Sequence, residues 1–169
     1  MHYDLILAEK TKQFEDLAKK LHLTLFTKQD LNRLKIVEGA DDLTIRGTLE
    51  HHKADILLDP HQGRPRDHMH FRNSGLNHVL CRFAHDNTIA IGITLRHASE
   101  ANDLGKIIQN IKLCRKYKVN IIFLTLATTP YQLRNPRDAI SFLTALGMTP
   151  GDAKKAVTIL GTLFSKKKN

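Results

Sequence analysis

An α/β fold built on parallel strands is what this sequence predicts, and three observations predict it. Asp55–Leu58 and Ile89–Leu95 are short, almost wholly apolar runs, the length and character of strands covered on both faces. Between and around them the apolar residues return every three to four positions, the period of helices with one buried face. Arginines stand just past the apolar runs, as Arg96 does after Leu95, at the edge where parallel sheets place their sites. About six such strand–helix units fit in the chain, which favours a TIM-like (β/α) barrel, closed or open, as a single domain over residues 1–169.

Taken in order, Tyr3–Ala8 reads as a strand, and Phe14, Leu17, Ala18 and Leu21 mark one face of the helix after it. Leu23–Phe26 and Leu34–Val37 are the next strands, separated by the polar piece Thr27–Arg33. Asp41 and Asp42 suit the positive end of a helix that runs to about Lys53. Strand Asp55–Leu58 is ended by Asp59-Pro60 and followed by the polar loop His61–Ser74. Ser74 is a candidate cap for a helix whose apolar face is Leu76, Val79, Leu80, Phe83 and Ala84. After strand Ile89–Leu95, Asn102 or Asp103 opens a helix with Leu104, Ile107, Ile108, Ile111 and Cys114 inward. Val119–Leu126 is the sixth strand, Arg137–Leu146 a helix ended by Gly147, and Pro150 starts a last helix carrying Ala153, Ala156, Val157, Leu160 and Phe164 on one face.

Composition narrows the function classes. There are 26 Lys and Arg against 17 Asp and Glu, a net charge of +9. The excess is one-sided, because residues 1–58 hold 9 basic and 10 acidic side chains whereas residues 59–169 hold 17 and 7. Such an imbalance fits a polyanionic partner. Aromatics are only 6%, with no Trp, so contact through phosphates and RNA shape fits better than an extended stacking platform. No apolar run approaches the roughly 20 residues of a membrane span, and Met1-His-Tyr-Asp-Leu-Ile-Leu7 has no basic stretch ahead of an apolar one. Cys81 and Cys114 are expected as buried free thiols, which suits the cytoplasm.

Catalytic signatures are weak. His68-Met-His70 has the spacing of two imidazoles on one face of a strand, but it lies in a loop, and Asp4, Asp55 and Asp59 are the only carboxylates placed to complete a metal centre. No serine sits in a nucleophile elbow, no glycine-rich phosphate loop is present, and neither cysteine is expected in a local basic or imidazole environment that would make it reactive. His78 follows a helix start and is expected to anchor a loop by hydrogen bonding. The arginines carry more. Arg64, Arg66 and Arg72 follow strand four, Arg96 strand five, and Arg134 and Arg137 strand six, so a parallel sheet would collect them on one rim. A planar guanidinium binds two phosphate oxygens at once. The bland alternative for Arg134 and Arg137 is pairing with Asp138.

Seven segments in order resemble a known family. They are Leu43-Thr-Ile-Arg46, Ala54-Asp-Ile-Leu-Leu58, Ser74-Gly-Leu-Asn-His-Val-Leu80, Ile91-Gly-Ile-Thr-Leu-Arg96, Cys114-Arg-Lys-Tyr-Lys-Val119, Leu133-Arg-Asn-Pro-Arg-Asp138 and Leu146-Gly-Met-Thr-Pro-Gly-Asp-Ala-Lys154. From about Asp41 to Val157 the chain is similar to ribonuclease P protein component 3, the archaeal and eukaryotic thirty-kilodalton subunits, whose barrel is related to those of polymerase and histidinol phosphatase (PHP) proteins. The resemblance implies an RNA-binding subunit that does not cut RNA itself. Its partners would be ribonuclease P RNA, precursor tRNA, a small RRM-like subunit and other ribonuclease P proteins. It would bind no cofactor, because the RNA holds the magnesium. Family positions fall on Arg46, Asp55, Arg72, His78, Arg96, Arg134, Asp138 and Lys154, with Asp55 and Asp138 in supporting roles. Two departures stand out: between Leu23 and Leu34 there is room for one turn where the family has a helix and a strand, and the H-x-H metal motif of PHP first strands is missing at Met1-His-Tyr-Asp-Leu5. The rival readings are a metal-dependent PHP-type phosphoesterase and a scaffold that binds only proteins.

Overall fold

The computed structural model describes residues 1–62, 67, 69–70, 72–98 and 101–166, with the side chains of 97, 98, 101 and 102 excepted. In chain order the elements are β1 (His2–Ile6), α1 (Lys12–Leu21), β2 (Leu23–Thr27), β3 (Ile36–Glu38), α2 (Asp42–Glu50), β4 (Ile56–Leu58), α3 (His78–Asp86), β5 (Ala90–Thr94), α4 (Leu95–Ala98), α5 (Ala101–Lys116), β6 (Ile121–Leu124), a 3-10 turn (Pro130–Gln132), α6 (Pro136–Ala145), α7 (Pro150–Ala156) and α8 (Ile159–Lys166). The strands belong to two parallel sheets, and the α/β class read from the sequence is borne out. The chain divides into two compact units: Met1–Leu34 with Thr94–Arg96 and Ile122–Asn169, and Lys35–Ile93 with His97–Ile121.

In the first unit β1 and β2 pair in parallel, His2 opposite Leu23 through Ile6 opposite Thr27, with α1 as the crossover that parallel strands require. The apolar face of α1 closes a core of Ile6, Phe14, Ala18, Leu25, Ala127 and Leu133, with Leu17 and Leu21 packed against it, as the helical period predicts. His22 ends α1 in the left-handed region (φ 55), returning its N–H to the carbonyls of Ala18 and Lys19. Between β2 and Leu34 the chain makes only turns, held by Leu31 N–H on the Thr27 carbonyl (3.2 Å) and by burial of Leu31 and Leu34. The expected last helix is in fact two. Thr158 Oγ donates to the carbonyls of Lys154 and Lys155, and the freed Val157 carbonyl accepts from Tyr3 N–H at 3.2 Å. The Tyr3 ring then occupies the space that a Cβ on Gly161 would need, so only glycine lets α8 lie there.

In the second unit β3, β4 and β5 run parallel, with Ile36 opposite Ile56 and Ile56 opposite Ala90. All side chains of β4 and β5 are buried, as continuous apolar runs require. The third strand starts at Ile36, two residues later than expected: Leu34 is the buried last residue of the first unit's turn segment, and Lys35 N–H donates to Asp55 Oδ2 (2.7 Å). Ser74 is not the cap of α3. It is buried, and Asn77 takes the role, its Oδ1 accepting from Leu80 N–H at 2.9 Å. Val79, expected inward, is exposed. Cys81 on α3 and Cys114 on α5 are buried free thiols in hydrogen-bond contact, which lowers the pKa of Cys81 and pushes that of Cys114 well up. At the far end of α3, Asn87 Nδ2 donates to the Leu49 carbonyl (2.6 Å), closing an orphan acceptor at the end of α2. Asn87→Ala is expected to lower unfolding free energy by about 1–2 kcal/mol in denaturant titrations, the cost of one buried acceptor left unpaired. An unchanged midpoint would show that water replaces the amide.

Candidate nucleic-acid interface

The first unit carries the cations that follow β5 and β6. Residues after β6 turn through the 3-10 segment because Thr129 and Gln132 form a capping box ahead of Pro130. Gln132 Oε1 accepts from Thr128 N–H (2.7 Å), Thr128 Oγ (2.9 Å) and Thr129 N–H (3.3 Å), while Leu133 is buried beneath. Arg134 is exposed and uses one nitrogen, Nη1, to hold the carbonyls of Tyr131 (2.9 Å) and Leu133 (3.0 Å). The rest of its guanidinium has no partner among the described residues, so a fork of donors faces outward. Arg137, in the first turn of α6, is exposed and its side chain has no hydrogen bond or ion pair among the described residues. The pairing with Asp138 that would have neutralised these arginines is therefore not made. Asp138 sits exposed in the same first turn, where it favours the helix end. Arg96 is exposed on the single turn α4 immediately past β5, and Lys154 is exposed in the last turn of α7.

Beside these cations, one carboxylate is structural. Asp4 of β1 is 4% exposed, and its Oδ1 accepts from Thr125 N–H (2.8 Å) and Leu5 N–H (2.9 Å) while Oδ2 meets Thr125 Oγ at 2.6 Å. Burial pushes its pKa up to about 6 against the opposing pull of those donors. An open groove of about 400 Å³ lies at the ends of β1 and β2, lined by residues 6–10 and 27–30. Its Lys10 is engaged by Asp30 at 2.7 Å, a bond that, with Thr27 N–H, holds the Asp30 carboxyl at about 2, so the groove adds little net charge.

The second unit places its expected residues differently. Arg46, mid-way along α2, faces out with Nε on Glu50 Oε2 at 3.1 Å, a helix i,i+4 pair. His78 is the exposed first residue of α3, and no hydrogen bond among the described residues gives it the anchoring role expected. Asp55 is buried and its Oδ2 accepts from Lys35 N–H at 2.7 Å, ahead of β3. Arg72 lies against Gly105 of α5, its guanidinium filling the space of a missing Cβ, with Nε 3.5 Å from Asp67 Oδ2. Arg64 and Arg66, and His68 of the H-x-H, lie outside the described residues.

What sequence reasoning missed is the polar face of α5. Asp103, Lys106 and Asn110 are buried there, while Leu104 and Ile108, expected inward, are only half-buried. Lys106 Nζ is 3.1 Å from Asp103 Oδ1, and Asp103 Oδ2 is 3.9 Å from His61 Nε2. Asn110 Nδ2 donates to the Ser74 carbonyl (2.9 Å) and Gln109 Nε2 to that of Arg72 (3.1 Å). These bonds pin the segment after the β4 loop onto α5 and fix where Arg72 stands. The available signal was Gly105, a glycine inside a helical pattern with no turn to justify it. Among the described residues no three His, Cys, Asp or Glu side chains gather where they could hold a metal ion.

Comparisons with known proteins bear on the family and the fold. A family model described as RNase P subunit p30 matches residues 16–167. Ribonuclease P protein component 3 of Methanosarcina mazei is 30% identical over 159 residues, covering 90% of this chain and 63% of that protein. The protein of the same name from Methanocaldococcus jannaschii is 31% identical over 156 residues, covering 89% and 61%. The chain thus spans about three fifths of the length of the curated relatives it matches. A chain in a cryo-EM structure of archaeal ribonuclease P with mature tRNA superposes with a TM-score of 0.71 at 23% identity, over 98% of this chain and 81% of that one, a likeness of fold.

Proposed function

The chain belongs to the RNase P subunit p30 family, and from that premise we propose that it is an RNA-binding protein subunit of ribonuclease P, assisting a catalytic RNA in removing the 5′ leader of precursor tRNA. The observation that carries the reading is the family match over residues 16–167, together with a surface whose arginines after β6 have unengaged donors. Chemically, the subunit's work is electrostatic. Guanidinium and ammonium groups that neutralise phosphates release counterions and let RNA segments approach at lower magnesium. The chain itself would hold no cofactor, with magnesium on the RNA. Arg46, Arg64, Arg66, Arg72, His78, Arg96, Arg134, Arg137 and Lys154 would supply the contacts, with Asp55 and Asp138 in support. Its partners would be the ribonuclease P RNA, precursor tRNA, the small RRM-like subunit and further ribonuclease P proteins. No helix among the described residues is long and apolar enough to cross a membrane, and the cytoplasm is the compartment proposed.

The metal-dependent phosphoesterase reading loses its donors. Asp4 and Asp55, two of the three carboxylates it needs, are buried and bonded to backbone N–H groups. The test is cleavage of precursor tRNA by the organism's ribonuclease P RNA at low magnesium, with the RRM-like subunit, with and without this chain. Stimulation that requires both proteins is the expected result. A folded sample that gives none would remove the subunit reading, and RNA affinity independent of particular arginines would point to a scaffold.

A further inference from the structure

The 3-10 turn after β6 presents one large ring to water. Tyr131 is 86% exposed and its hydroxyl has no partner among the described residues. An isolated exposed apolar side chain needs no explanation, but the backbone that carries this one is unusually well held. Gln132 binds the turn from one side through Thr128 and Thr129, Arg134 ties the Tyr131 and Leu133 carbonyls from the other, and Leu133 anchors it in the core. The ring is therefore offered from a fixed point, and tyrosine has only two side-chain torsions left to order on contact. Residues 128–138 contain two arginines and one acid, Asp138, which pairs with neither of them. A fixed ring beside outward cations matches the chemistry of a nucleotide, whose base stacks while its phosphate takes the guanidinium.

We propose that Tyr131 stacks on an unpaired base of an RNA segment whose backbone is held by Arg134 and Arg137. This rests on the RNA-binding reading above and deepens it. The scarcity of aromatics excludes an extended stacking platform, and a single ring for a single base is compatible with that composition. A protein partner would also accept an exposed tyrosine, but two cations with no carboxylate between them favour a polyanion.

The experiment uses the full chain and two probes, a short oligouridylate and a blunt RNA duplex, with affinity read by fluorescence anisotropy over a range of salt. Tyr131→Ala is expected to weaken oligouridylate binding by about tenfold while leaving duplex affinity and the salt slope unchanged, and Tyr131→Phe to retain the affinity. Because the ring is exposed, thermal unfolding of the variant should match the parent. If the parent binds neither probe, the RNA-binding reading and the stacking inference both fall. If it binds both and Tyr131→Ala binds oligouridylate equally well, stacking alone is wrong. Loss of capture of the RRM-like subunit with RNA affinity intact would make Tyr131 a protein contact and overturn the inference.

Discussion

Replacing Arg134 and Arg137 together by alanine is expected to weaken binding to ribonuclease P RNA by roughly tenfold to a hundredfold at low salt, and to reduce the slope of log affinity against log salt by about two units. Each guanidinium has outward donors that no described side chain neutralises, so each is available to a phosphate. Arg137→Ala alone separates charge from architecture, because only Arg134 also braces the turn. Arg46→Ala gives the comparison with a contact whose charge is already shared. Its side chain is already paired with Glu50 and should change the slope less. A double variant with the parental slope would mean that this face does not meet RNA.

The largest stability effect is expected at Asp4. Asp4→Ala leaves Thr125 N–H, Thr125 Oγ and Leu5 N–H without their acceptor in a buried setting, and should cost about 2–4 kcal/mol in denaturant unfolding near neutral pH. Asp4→Asn keeps the acceptor oxygen and offers a donor to Thr125 Oγ, so it should be tolerated. The pH dependence has a definite sign. The folded pKa, about 6, lies above the ordinary 3.8, so the folded protein binds the proton more tightly than the unfolded chain. The stability this contributes is complete below the unfolded value and is lost as pH rises through the folded one. Parent minus Asp4→Asn should therefore decline by an amount on the order of 3 kcal/mol between about pH 4 and about pH 7. A difference that is flat across this range would mean that Asp4 is ionised in the fold without penalty.

How far the sequence could be read depended on the kind of interaction. β4 and β5 were legible because fully buried parallel strands must be apolar throughout, and Asp41 was legible as a helix start because its Oδ1 has the Leu43 and Thr44 N–H groups to accept from. Ser74 and Asn77 are both good caps, and the choice between them was made by tertiary structure: Asn110 takes the Ser74 carbonyl and draws that residue inward. Periodicity counts apolar residues, so it found Ile107, Ile111 and Cys114 but could not see that Asp103, Lys106 and Asn110 share the buried face of α5 with them. The pairing of Arg46 with Glu50 was present in the spacing itself. That Arg137 does not pair with Asp138 follows from the same spacing rule, because adjacent residues on a helix do not face one another. Its lack of any other partner among the described residues depends on the tertiary fold.

Asp4 and Thr125 are 121 residues apart in the chain. During synthesis at roughly 5–20 residues per second, that separation is on the order of ten seconds. Through that interval β1 can meet β2, but the Asp4 carboxylate stays ionised in water, without the threonine that will enclose it. The first unit therefore cannot finish before β6 has left the ribosome, and an element made at the start waits for one made near the end. Closing so long a loop costs little more entropy than closing one of half the length, so the wait is set by translation and by the slow search for non-local partners.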